Sequence, residues 1–168
     1  MGRRDYAILL LLARLGLRSS EVAFLEFDEI DWKAGQLSVR GKSGQRGDLP
    51  LPTEVGKAIA AYLRRGRPRC SSRRVFLRVK APICGFQGAC GVGSIVRHRL
   101  QRAGVDAPTH GAHQFRHGLA TEMLRQGASL GEIGELLGHR NPQTTKIYTK
   151  VDLEALRTLA LPWPGGVQ

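Results

Sequence analysis

No apolar run in the chain is long enough to span a bilayer. The longest, Ala7 to Ala13, is seven residues, against the roughly 20 that a membrane helix needs, and it reads as a buried helix segment. The start, Met1-Gly-Arg-Arg, is basic, but no small-residue cleavage site follows. A secretory signal is therefore not indicated, and the expected compartment is the cytoplasm. Cysteine is scarce. Cys70, Cys84 and Cys90 are odd in number and lack CxxC spacing, which argues against a disulfide framework or a thiolate metal site. His110, His113 and His117 invite a zinc reading, yet no cysteine or carboxylate falls at a spacing that completes a standard site. Acids suited to holding magnesium are not clustered either. The expectation is no metal and no cofactor.

Acid is missing where base is richest. No Asp or Glu occurs between Glu54 and Asp106, an interval with 12 Lys and Arg. The rest of the chain balances, so this middle third carries the whole net charge of +12. Arginine outnumbers lysine 20 to 6, and guanidinium forks match phosphate oxygens in pairs where ammonium groups do not. The natural partner for such a surface is a nucleic-acid backbone, although a basic face can also serve solubility alone. Within the interval, Arg64, Arg65, Arg67, Arg69, Arg73 and Arg74 are the candidate nucleic-acid contacts.

What is present suits one globular domain: 168 residues with 42% hydrophobic content. Helical propensity runs from Arg3 to Leu15, and Gly16 breaks it. Ser19 is the expected N-cap of a short helix to Leu25, with Glu21 in its first turn. Ile30 to Trp32, Gln36 to Arg40 and Gly47 to Leu51 read as short strands around turns at Gly35 and Gly41-Lys-Ser-Gly. Thr53 is expected to cap a helix to Arg65, and a strand is expected at Val75 to Leu77. The segment Ala81 to Gly93 has no assignable pattern. Helices follow at Ser94 to Ala103 and at Ala112 to Gln126, the latter with an apolar stripe of Ala112, Phe115, Leu119 and Met123. Ser129-Leu-Gly-Glu132 is a capping box for another helix, which Gly138 ends. Asn141-Pro142 opens the helix that would carry Tyr148, and a last helix is expected at Leu153 to Leu159. The fold class is mainly α with a small antiparallel β-sheet.

The chemistry-bearing residues are unremarkable one at a time. His113 and Arg116 lie three positions apart on one helix, about 60° apart around its axis, where they could share one anion and move a proton. Arg18 follows a glycine at a helix start, Lys42 sits on a hairpin turn, and Tyr148 follows His139 by nine residues. Each alone also fits an ordinary surface or core residue.

In combination they resemble the catalytic domain of the tyrosine recombinase, or phage integrase, family. The matching stretches are Leu15-Gly-Leu-Arg18-Ser-Ser-Glu21, Gly41-Lys42 through Leu49-Pro-Leu51, His113-Gln-Phe-Arg116-His117, and Leu137-Gly-His139 through Thr144-Thr-Lys-Ile-Tyr148. The resemblance covers roughly residues 5 to 160. It implies a nucleophilic Tyr148 that forms a 3′-phosphotyrosine with double-stranded DNA, and Arg18 and Arg116 on the phosphate. It further implies Lys42 as acid for the leaving sugar oxygen, His113 as acid/base group, and His139 as a hydrogen-bonding support. Glu21 matches an acid that orients Arg18 or His113, and His117 a residue of structural role.

The resemblance also implies a domain layout of 1–160 as catalytic domain and 161–168 as a tail. Family members usually carry a separate helical DNA-binding domain ahead of the catalytic one, and the pattern here starts within the first 20 residues, so that domain is expected to be absent from this chain. The family acts as a homotetramer on DNA, and the isolated chain is expected to be a monomer. Two rival readings share these residues: a type IB topoisomerase, which relaxes supercoils by the same chemistry, and a non-catalytic DNA-binding relic.

Overall fold

A computed structural model describes residues 2–40, 46–105 and 111–138. The chain divides into two compact units, Met1–Leu119 and Ala120–Gln168. In the first, helix α1 (Arg3–Leu15) buries Ile8, Leu11, Leu12 and Leu15, the i, i+3, i+4 face of an amphipathic helix. It stops at Gly16, which adopts the left-handed conformation. Helix α2 (Ser19–Phe24) follows, then a short 3-10 turn at Phe27–Glu29 and the strands β1 (Ile30–Asp31), β2 (Gln36–Arg40) and β3 (Arg46–Pro50). These form one antiparallel sheet in the order β1-β2-β3. Leu37, paired with Ile30 on one side and Leu49 on the other, is fully buried and turns the sheet's inner face to the core. Helix α3 (Thr53–Arg65) packs Val55, Ala58, Ile59 and Tyr62 inward. Helix α4 (Ala89–Arg102) buries Val92 and Val96 and lies against α2.

The expected mainly α architecture with a small antiparallel sheet is what the chain adopts. Two segments depart from expectation. Val75, Phe76 and Leu77 are fully buried but form no ladder strand, only the isolated bridges Glu26↔Arg74 and Leu77↔Gly85. Side chains supply the remaining partners. Arg67 donates to the carbonyls of Ser72, Arg74 and Val75 at 2.8, 2.9 and 3.2 Å, and the Tyr62 hydroxyl accepts from the Leu77 N–H at 3.3 Å. Helix α4 begins at Ala89, five residues before the expected Ser94, with glycines at 91 and 93 inside it. Gly91 is there for close approach: a Cβ would lie 2.5 Å from the Phe86 ring, so only glycine lets that ring rest on the helix.

A partly buried ionic cluster ties α1 to α4. Asp5 accepts from Arg4 at 2.7 and 2.9 Å and from Arg99 Nε at 2.9 Å, and Arg4 also donates to the Leu77 carbonyl at 3.0 Å. Helix α5 (His113–Arg125) runs across the boundary between the units. In the second unit, α6 (Leu130–Leu136) opens with the expected capping box. Ser129 Oγ accepts from the Glu132 N–H at 3.2 Å, and Glu132 takes the Ser129 N–H at 2.7 Å. Gly138 stands after its end at φ 58°. The helices expected from Asn141 onward and at Leu153 to Leu159 lie outside the described residues, as does the tail. No helix among the described residues is long and apolar enough to cross a membrane.

Candidate active site

The turn between α1 and α2 positions the first arginine. Gly16 reverses the chain at φ 58°, ψ 26°, and Arg18 then occupies the N-cap of α2 in an extended conformation. The cap falls one residue before the expected Ser19 because Glu21 does the capping from inside the helix. Its carboxylate accepts the Arg18 backbone N–H at 2.6 Å and the Arg18 guanidinium at 2.7 Å. With its side chain 7% exposed, Glu21 fixes both ends of an arginine whose own side chain is 34% exposed. Of the two partners expected for Glu21, Arg18 is the one it holds.

Helix α5 brings the second. Arg116 is 4% exposed and donates Nη1 to the Gly16 carbonyl at 2.7 Å. The guanidinium is thereby anchored two residues before Arg18, across 100 positions of sequence. The expected apolar stripe of α5 is displaced accordingly. Its most buried line is Ala112, Arg116 and Ala120, while Phe115, Leu119 and Met123 are half-buried. Arg116 sits within the buried line.

His113 lies one turn earlier on an exposed position of α5. Its ring meets that of His117 edge-on, with centroids 4.3 Å apart and planes at 88°. Partial burial of the ring, followed by the charges of His117, Arg116 and Arg18, holds His113 below the ordinary imidazole pKa. One imidazole therefore feels both guanidiniums, and its neutral form is favoured. Beside Arg18, the surfaces of α2, the 3-10 turn and β2 enclose a groove of ≈ 470 Å³, with Phe24, Glu26, Arg40 and Arg74 among its walls. Arg18, Glu21, His113 and Arg116 are thus brought together, whereas Lys42, His139 and Tyr148 lie outside the described residues.

The candidate DNA contacts divide in two. Arg64, Arg65, Arg69 and Arg73 are exposed, Arg73 with Asp28 as an ion-pair partner. Arg67 and Arg74 are partly buried and engaged with the chain itself. Arg67 grips three carbonyls and stacks 4.8 Å over Phe27. Arg74 lies 4.9 Å over Phe24, pairs with Glu26 at 3.2 Å and donates to the Phe24 carbonyl. Two features were not singled out from sequence. One is the Gly16 carbonyl, whose only signal was a glycine after a helix. The other is the exposed run Ser94, Arg97, His98, Gln101 and Arg102 along one face of α4, whose spacing of three and four residues carried the signal.

Residues 1–154 match the phage integrase family. The chain is 71% identical to the y4rA protein of Sinorhizobium fredii over 168 residues, covering all of this chain and 41% of that protein. It is 36% identical over 167 residues to the tyrosine recombinase XerD of Mycobacterium tuberculosis, covering 96% of this chain and 51% of that one. The chain therefore spans about two-fifths to one-half of the length of these relatives. The crystal structure of the site-specific recombinase XerH bound to its palindromic difH substrate superposes with a TM-score of 0.80 at 22% identity, over 97% of this chain and 46% of that one. That likeness is one of fold. The sequence match and the shared fold agree: the chain belongs to the phage integrase family and has the fold of a tyrosine recombinase catalytic domain.

Proposed function

We propose that the chain is the catalytic domain of a site-specific recombinase that cleaves and rejoins double-stranded DNA through a 3′-phosphotyrosine intermediate. The observation that carries the reading is the convergence of Arg116 on Gly16, two residues from Arg18, with His113 in the field of both. A phosphodiester under attack gains negative charge on its non-bridging oxygens, and two preorganised guanidiniums stabilise that charge.

In this reading the Tyr148 oxygen attacks phosphorus, and the bond from phosphorus to the 5′ oxygen breaks. His113, kept neutral, accepts the phenol proton. Lys42 donates a proton to the departing 5′ oxygen, and His139 supports the phosphate by hydrogen bonding. A 5′ hydroxyl from the same or another strand then attacks the phosphotyrosine, releasing Tyr148. Bond energy is retained in the covalent intermediate, so no nucleotide is consumed. Residues 1–160 form the catalytic domain and 161–168 the tail, and four copies act together on DNA. The exposed arginines Arg64, Arg65, Arg69 and Arg73 and the α4 run from Arg97 to Arg102 supply the surface that meets phosphate. The DNA-bound state of XerH, which shares the fold, supports double-stranded DNA as partner.

The test uses duplexes with a nick near a randomised sequence, so that cleavage releases a short fragment and traps the covalent complex. The wild-type chain should form an adduct stable to denaturation, and Tyr148→Phe should bind DNA without forming one. An adduct that survives in Tyr148→Phe rules out the nucleophile. Plasmid products separate the activities: recombined molecules support the proposal, and relaxed single plasmids alone point to the topoisomerase reading.

A further inference from the structure

We infer that Gly16 is a positioning residue for strand cleavage: its left-handed backbone aims its carbonyl at Arg116 and so fixes that guanidinium relative to Arg18. The inference rests on the reading of Arg116 as a phosphate-binding group. Gly16 has φ 58° and ψ 26°, a region that residues with a Cβ enter only at a cost. The neighbouring Leu15 and Leu17 are each 4% exposed, so both sides of the turn are locked into the core. The carbonyl accepts Arg116 Nη1 at 2.7 Å, and Arg116 is itself 4% exposed. A charge-assisted bond in such a setting is strong and directional, and the bearing of a buried guanidinium is set by the protein, not by water.

The same stretch of backbone leads directly to Arg18, which Glu21 ties at its N–H and its guanidinium. One turn therefore sets both arginines. Arg116 is referenced to it through the Gly16 carbonyl, and Arg18 through the cap of α2. A residue that forces φ negative at position 16 rotates the peptide plane that follows and swings the carbonyl away. Arg116 then keeps its charge and its place on α5 but loses the bond that references it to the turn. Chemistry is sensitive to errors of that size, whereas DNA binding, spread over many phosphates, is not.

A glycine that merely stops α1 would behave differently, and two variants separate the roles. Gly16→Val disfavours the left-handed region, and Gly16→Asn tolerates it. With the full chain and the nicked randomised duplexes, single-turnover adduct formation at saturating DNA should fall about tenfold or more in Gly16→Val, with Kd nearly unchanged. Gly16→Asn should recover most of the rate. A rate in Gly16→Val equal to wild type overturns the inference, as does a loss that only tracks the folded fraction measured by circular dichroism. Should Gly16→Val fail to fold, Gly16→Ala takes its place as the milder strain. A wild-type chain that forms no adduct would sink the recombinase reading, and the positioning claim is then decided by NMR on the free protein. Protection of the Arg116 Nη1 protons from exchange should be present in wild type and in Gly16→Asn and reduced in Gly16→Val or Gly16→Ala, and equal protection in all overturns it.

Discussion

The His113 ring lies partly desolvated beside His117, Arg116 and Arg18, and burial and then these three charges, in that order, lower its pKa. A group of this kind is neutral where an ordinary histidine is already part-charged, and a neutral imidazole can take a proton from a phenol. The folded chain resists protonating it more than the unfolded chain does. Its contribution to stability is therefore present above the ordinary value near 6.5 and is lost as pH falls through the lower folded value. An NMR titration of His113 should give a midpoint below about 6.5. Arg116→Ala and Arg18→Ala should each move that midpoint upward by removing a nearby positive charge. A midpoint at or above the ordinary value in the wild-type chain would contradict the electrostatic picture and, with it, the assignment of His113 as the proton acceptor.

Among the elements, α1 is held by an acid in its otherwise apolar face. Burial alone would raise the pKa of Asp5, but hydrogen bonds from Arg99 and Arg4 outweigh it and hold the carboxyl below its usual range. The stabilisation is then complete above the unfolded carboxylate value near 3.9 and lost as pH falls through the lower folded value. Asp5→Ala leaves two partly buried guanidiniums without their shared acceptor and should cost about 3 kcal/mol at neutral pH. Urea unfolding at pH 7 and near pH 3 checks this, since the deficit should shrink at the acid end, and an equal deficit at both would remove the ionic explanation. Legibility from sequence follows the same division between local and distant causes. Helices α1 and α3 were readable from propensity and glycine stops and α6 from its Ser129 box, since these act over a few residues, although α3 starts at Thr53 itself with Pro52, not Thr53, in the cap position. The start of α4 was not, since Gly91 looks like a helix breaker until the Phe86 ring that needs it is in place. Arg18 with Glu21 is a local pair. Arg116 with Gly16 is separated by 100 positions, so a pattern that expects apolar residues in the stripe of α5 misplaces its arginine. Lys42, His139 and Tyr148 rest on family resemblance.

For the whole molecule, a net charge of +12 overstates what an approaching duplex meets. Arg4, Arg99, Arg67 and Arg116 point much of their hydrogen-bonding capacity into the protein. The charge available to phosphate is concentrated on exposed residues such as Arg64, Arg65, Arg97 and Arg102. Binding to duplex DNA should weaken steeply with salt, and removing Arg97 or Arg102 should lower the slope of log K against log salt by about 1 each. Fluorescence anisotropy across a salt series measures it, with Arg67→Ala as the contrast: that variant should melt earlier yet keep its slope. An unchanged slope on losing both α4 arginines would move the DNA surface elsewhere. The grip of Arg67 also bears on how this protein can change over time. It recognises three main-chain carbonyls, and every amino acid carries one. The segment therefore keeps this anchor whatever side chain stands at Ser72, while position 67 itself is not free, and Arg74 is tied separately through Phe24 and Glu26. Substitution should be better tolerated at Ser72 than at the arginine that holds the segment.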